Sequence, residues 1–173
     1  MKKKNDILLA VLFVFSANCI AEEKWKNCPV DKPPQFSDYS TPVIEQEFKI
    51  DKLKLHTARS RKFRTMITEE SKLAVNFAGF YRVATWGCGT DCHQFAIVNK
   101  RNGLVYTHPT INLVAGVNGN DEPRIDSRSD SKLFIVSGNF NDIENMEGKY
   151  YFQWSGKKLI PICKMELQKI FSE

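Results

Sequence analysis

Four cysteines, Cys28, Cys88, Cys92 and Cys163, place the tightest bound on what this chain can become. Two are near the ends of the sequence and two are four residues apart. An even number of cysteines in an oxidising compartment points to two disulfides, which three pairings would satisfy. A disulfide needs Cα atoms roughly 4.4–6.8 Å apart. An extended chain would hold Cys88 and Cys92 about 13 Å apart. They pair only if Gly89-Thr90-Asp91 turns back, which the flanking Gly87 and Gly89 favour. Cys28 then pairs with Cys163 and ties the two ends of the domain together.

The oxidising compartment is itself an inference from the first residues. Three lysines, Lys2 to Lys4, precede the apolar run Ile7–Phe15, and small residues Cys19 and Ala21 follow. This is the pattern of a secretory signal peptide, with cleavage expected after Ala21 and with Cys19 leaving in the leader. The apolar run is far below the ~20 residues of a spanning helix, so no stable membrane insertion is expected after cleavage. The organisation expected is a signal over 1–21, an extended proline-rich segment over 22–56, and a single domain over 57–173. Localisation is expected to be periplasmic or secreted.

The chain has 25 basic and 20 acidic residues. Removing Lys2, Lys3, Lys4 and Asp6 leaves 22 and 19, a net +3. Charges of both signs alternate along the chain, without the concentrated basic stripe that phosphate neutralisation requires. Nucleic acid is not an expected partner.

Thr57 is a natural N-cap, and Phe63, Met66 and Ile67 share one helical face, predicting a helix over 57–72. Arg61, Lys62, Arg64 and Thr65 occupy its other faces as solvated surface. From Gly79 the period changes to two. Strands are expected over 80–86, 94–98, 104–106, 111–115, 133–136, 150–154 and 159–162. Residues 116–131 read as a polar loop, and 164–171 as a short terminal helix with Met165, Leu167 and Ile170 inward. The fold class is therefore α+β, a helix followed by an antiparallel meander of about six strands, stapled twice.

The run Asn76-Phe77-Ala78-Gly79-Phe80-Tyr81, followed by Trp86-Gly87-Cys88-Gly89-Thr90-Asp91-Cys92, resembles a group of small exported bacterial proteins. In these an Asn-Phe-Ala-Gly-x-Tyr strand leads into Trp-Gly-Cys-Gly-Thr-x-Cys. The likeness extends through Gly103–Tyr106, Asp130–Phe134, Tyr150–Trp154 and Gly156, covering about residues 74–162. It implies a fold and carries no activity.

Templates for catalysis are poorly served. No Gly-x-Ser-x-Gly, His-Glu-x-x-His or phosphate-binding glycine loop is present. Cys88-x-x-x-Cys92 has one residue too many for a redox or haem-attachment motif, and no second ligand pair completes a zinc site. Asp121, Glu122, Asp126 and Asp130 lack calcium-loop spacing. No metal or cofactor is expected. The candidate binding residues are the stapled tip, Trp86, Gly87, Gly89, Thr90, Asp91 and His93, where glycines bare backbone N–H groups and Trp86 would be an aromatic anchor. The expected function is a non-enzymatic binding module of the bacterial envelope. It would recognise a protein or cell-wall partner, as an inhibitor or immunity-type protein does. The alternatives are an exported hydrolase using His93 or His56 with an aspartate, and a structural envelope protein.

Overall fold

The computed structural model describes residues 25–44, 46 and 48–167. The signal-peptide segment lies outside the described residues, and among those described no helix is long and apolar enough to cross a membrane. The molecule is mostly antiparallel sheet, with few helices and two disulfides, Cys28–Cys163 and Cys88–Cys92. Their Cα separations are 5.0 and 5.1 Å, so the turn at Gly89–Asp91 does bring the nearer pair within reach.

Among the described residues there are eight strands: β1 Tyr81–Gly89, β2 Cys92–Asn99, β3 Val105–Tyr106, β4 Val114–Ala115, β5 Ile125–Ser127, β6 Leu133–Phe140, β7 Glu147–Trp154 and β8 Leu159–Met165. The expected meander of about six strands is thus corrected in number and in order. The main path runs β1-β2-β4-β6-β7-β8, while β3 pairs beside β4 on β2, and β5 pairs beside β4 on β6. The polar stretch 116–131, expected to be loop throughout, contributes β5, whose Ile125, Asp126 and Ser127 pair with Val136, Ile135 and Phe134. β8 continues to Met165, so the start of the expected terminal helix is strand; residues 168–171 lie outside the described residues.

The helix expected over 57–72 is two short helices, α1 Ala58–Lys62 and α2 Arg64–Ser71, broken at Phe63. Thr57 caps α1 as its sequence suggests, its hydroxyl accepting from the Ser60 N–H. Phe63 has φ −102° and ψ 23°, outside the helical well, and its ring turns onto Trp86. Ile67 is fully buried, but Met66, predicted inward, is 45% exposed.

Alternation places Tyr81, Val83, Phe95 and Ile97 in the principal core. Their neighbours Ala84, Trp86, Ala96 and Val98 join a second cluster on the opposite face, beneath Ile50, Leu53, Leu55 and Phe63. Both faces of β1 and β2 are therefore covered. The sheet curls so that its two halves meet over the principal core, with Phe95 5.1 Å from Phe134 and Tyr81 5.3 Å from Trp154. β4, two residues long, stitches the halves, pairing with Cys92 and His93 on one side and Asn139 and Phe140 on the other. Gly138, at φ 151°, sits where any Cβ would strike the Ala115 carbonyl and the Val114 side chain.

Both ends of the main path are partly occupied. Beyond β8, Cys28 N–H donates to Lys164 O and Lys164 N–H to Lys26 O, each at 2.9 Å, beside the Cys28–Cys163 link. Beside β1, the Asn76 side chain imitates a strand. Its Oδ1 accepts from Val83 N–H at 2.7 Å and its Nδ2 donates to Val83 O at 3.2 Å. That gives the first residue of the Asn-Phe-Ala-Gly motif a physical role. Asn76→Ala would leave both partners without it, and about 2 kcal/mol of stability should be lost in urea unfolding. Asn76→Asp, which keeps only the acceptor, should retain part of it.

Candidate functional site: a stapled tip over a polar pocket

The β1–β2 hairpin ends in a bulge, Gly87 facing His93 and Gly89 facing Cys92. The residues at its end are exposed, and Asp91 takes a left-handed conformation at φ 48°. Such a conformation suits aspartate better than most residues. The tip does not stand free. Asp91 O accepts from Gly116 N–H at 2.7 Å, and the Asp91 carboxylate lies 3.3 Å from Arg124 Nε. A Cβ on Gly116 would collide with that carboxylate, so any larger residue there would turn the Asp91 side chain away from Arg124.

Arg124 is the anchor beneath. Its side chain is 5% exposed, and its guanidinium donates to Ser137 O at 3.1 Å and Asn120 O at 2.6 Å besides facing Asp91. One cation thus ties together β6, the 116–120 loop and the hairpin tip. The fork of an arginine satisfies three acceptors in different directions, which an ammonium on the same stem would not match.

Between tip and loop lies an open, mostly polar pocket of about 660 Å³. Its walls are Cys88–Cys92 on one side and Leu113 with Ala115–Asp121 on the other, and Asp142 reaches it from the β6–β7 turn. Asn141 fixes that turn. Its N–H donates to Leu113 O at 3.0 Å, while its Oδ1 accepts from Asn112 N–H at 2.7 Å. Of three carboxylates at the pocket, Asp91 faces Arg124, whereas Asp121 and Asp142 form no ion pair among the described residues.

The structure divides the residues expected at the tip. Gly89, Thr90, Asp91 and the Cys88–Cys92 link line the pocket; Trp86, Gly87 and His93 do not. Trp86 is the clear correction. It is 5% exposed and packs against Phe63 at 5.1 Å in the cluster under the helices, so it is core and not an anchor for a partner. Alternation alone could not reveal this, because it tells which side a residue faces and not whether that side is covered. The residues that complete the pocket, Gly116 to Asp121 and Asp142, and the Arg124 that anchors it from beneath, were missed. Gly116, Gly119 and Asn120 signalled turns, but no local signal tells which element a turn folds against.

The three histidines stay apart. His56 is exposed ahead of α1, and His93 is half-buried on β2 with Nδ1 unpartnered. His108 is buried, its Nδ1 accepting from Ile111 N–H at 3.1 Å and its ring beside Tyr106 and Phe152. Among the described residues no histidine pairs with a carboxylate. No group of three or more His, Cys, Asp or Glu could hold a metal ion there either. Burial, with a smaller effect from the nearby Arg59 charge, pushes the His108 pKa from 6.5 down to about 4. Between those values the unfolded chain takes up a proton that the folded chain refuses. Stability should therefore fall as pH drops from 6.5 to 4, by about 2–3 kcal/mol between pH 7 and 4.5. His108→Asn keeps an acceptor for the Ile111 N–H but cannot titrate. Urea unfolding at the two pH values should show a correspondingly smaller loss in that variant.

Compared with protein-family models, with curated proteins and with solved structures, the chain matches none of them.

Proposed function

We propose that this chain is an exported, non-enzymatic binding module that receives a protein or cell-wall partner in the pocket beneath its stapled tip. The observation that carries the reading is the docking of Thr90 and Asp91 over the 116–121 loop, held by a disulfide, a backbone hydrogen bond and Arg124. A wall held at three points loses little conformational freedom when something binds to it. Export is supported by the two disulfides, which persist in oxidising compartments. The separation of the histidines and the lack of a histidine–carboxylate pair among the described residues favour binding over hydrolysis. With Asp121 and Asp142 outside any ion pair among the described residues, the complementary group on the partner is an ammonium or guanidinium.

The test is affinity capture on the immobilised protein, from an envelope extract and from a digest of cell wall. A variant with Thr90→Arg and Asn118→Arg fills the pocket and neutralises its charge, and Lys157→Glu in the β7–β8 turn is the control. A ligand kept by native protein and control but lost by the pocket variant is the expected result. Equal retention on all three would overturn the reading.

A further inference from the structure

The expectation of evenly interspersed charge fails in one segment: residues 49–64 contain seven Lys or Arg and one Asp, although the chain beyond Ala21 carries only +3 in all. The fold puts much of this charge on one face. Ile50, Leu53, Leu55 and Phe63 pack inward on the cluster around Trp86, and Lys52, Lys54, Arg61, Lys62 and Arg64 are exposed. Lys54 forms a parallel bridge with Leu104, its N–H donating to Gly103 O at 2.8 Å. Arg61 donates to His56 O at 2.9 Å, which fixes α1 against the end of the extended segment. The two stretches of cations are thus held side by side over one apolar layer.

Among the described residues these five cations form no ion pair. The acids on the same layer are already engaged: Glu69 pairs with Lys72, and Glu70 with Arg82, at 2.8 and 2.7 Å. Among the described residues of this segment, Asp51 alone is left to oppose them. Two large apolar side chains stay exposed beside these cations: Leu104, the bridge partner of Lys54, and Met66, two residues beyond Arg64 on α2. Cations interspersed with exposed apolar side chains suit a surface offering negative headgroups above hydrocarbon. A purely ionic polymer would have no use for the apolar groups.

We propose that this face, formed by residues 52–64 with Leu104, binds the surface of a membrane containing anionic lipid, peripherally and without spanning it. The contact is independent of the tip pocket and would leave that pocket's ligand unaffected.

The experiment is co-sedimentation of the protein with phosphatidylcholine vesicles, with and without phosphatidylglycerol, across a salt series. Binding should require the anionic lipid and weaken with added salt. Lys54→Gln, Lys62→Gln and Arg64→Gln together should weaken it on the order of 100-fold, at about a factor of five per charge near the surface. All three side chains are exposed, so an unchanged melting temperature will show that the variant folds. Leu104→Ser should weaken vesicle binding and leave binding to soluble polyphosphate or duplex DNA as it was. Two results would overturn the proposal: no association with anionic vesicles at low salt, or a triple variant that binds as tightly as the native protein. So would vesicle binding that Leu104→Ser leaves unchanged beside equally tight binding to polyphosphate or DNA, which would assign the face to a soluble polyanion.

Discussion

Cys28→Ala with Cys163→Ala is expected to lower the unfolding free energy by on the order of 5 kcal/mol, measured by urea denaturation against the oxidised native protein. The size follows from the 135-residue separation, because a link that closes so long a loop removes much freedom from the unfolded chain. A second contribution is local. The link holds residues 26–28 against β8, and the chain just before it places Trp25 4.9 Å from Tyr150 and 5.1 Å from Phe152. Removing the Cys88–Cys92 link instead should cost only about 2 kcal/mol, since it spans four residues. Domains of this kind are commonly stable by 5–15 kcal/mol, so losing the long link consumes much of the reserve. Similar losses for the two variants would show that the N-terminal segment contributes little to the folded state.

Arg124→Met is expected to cost about 3 kcal/mol and to abolish partner capture at the tip pocket. The guanidinium is buried and satisfies two backbone carbonyls, so its removal strands Ser137 O and Asn120 O away from water. Asp91 was its third partner, and being 51% exposed it can turn to solvent. Asp91→Asn should therefore cost about 1 kcal/mol or less by the same measurement. Arg124→Lys, which keeps the charge without the fork, should fall between the two. If Arg124→Met unfolds with native stability, the anchoring role is wrong. If it is destabilised but captures its partner undiminished, the pocket is not the binding site.

Strand positions were legible because alternation is written residue by residue. Tyr81 and Val83 against Ala84 and Trp86 separate onto two faces as the period of two requires. What covers each face is not written locally. The helical segment and residues 50–55 lie over the Trp86 side, and Phe36 and Tyr39 pack near Leu133, Ile135 and Tyr151 on the other half. Trp86 is core for that reason. The break at Phe63 escaped notice because Phe63 and Ile67 are spaced as one helix would space them, while the turn in the backbone serves a contact with a strand. The disulfide pairing was legible because chain geometry narrows it. The site was only half legible. Cys88, Thr90 and Asp91 announce a tight turn, but Arg124 is one of two arginines in a polar stretch, and its position under the tip depends on the pairing of β4 with both β2 and β6.

The occupied strand edges have a consequence for the reduced protein. A sheet margin with unused N–H and C=O groups is a template on which a neighbouring molecule can add its own backbone. Here Asn76 occupies the Val83 position of one margin with a side chain, a contact that no reductant can remove. The other is blocked by a short stretch of main chain whose attachment is partly a sulfur bond. Cleaving that bond frees the stretch to peel away, leaving β8 open to the same stretch from a second molecule. Under reducing conditions this chain would therefore associate along a single margin, by exchange of its N-terminal segment, and grow into pairs or strings with a fixed polarity.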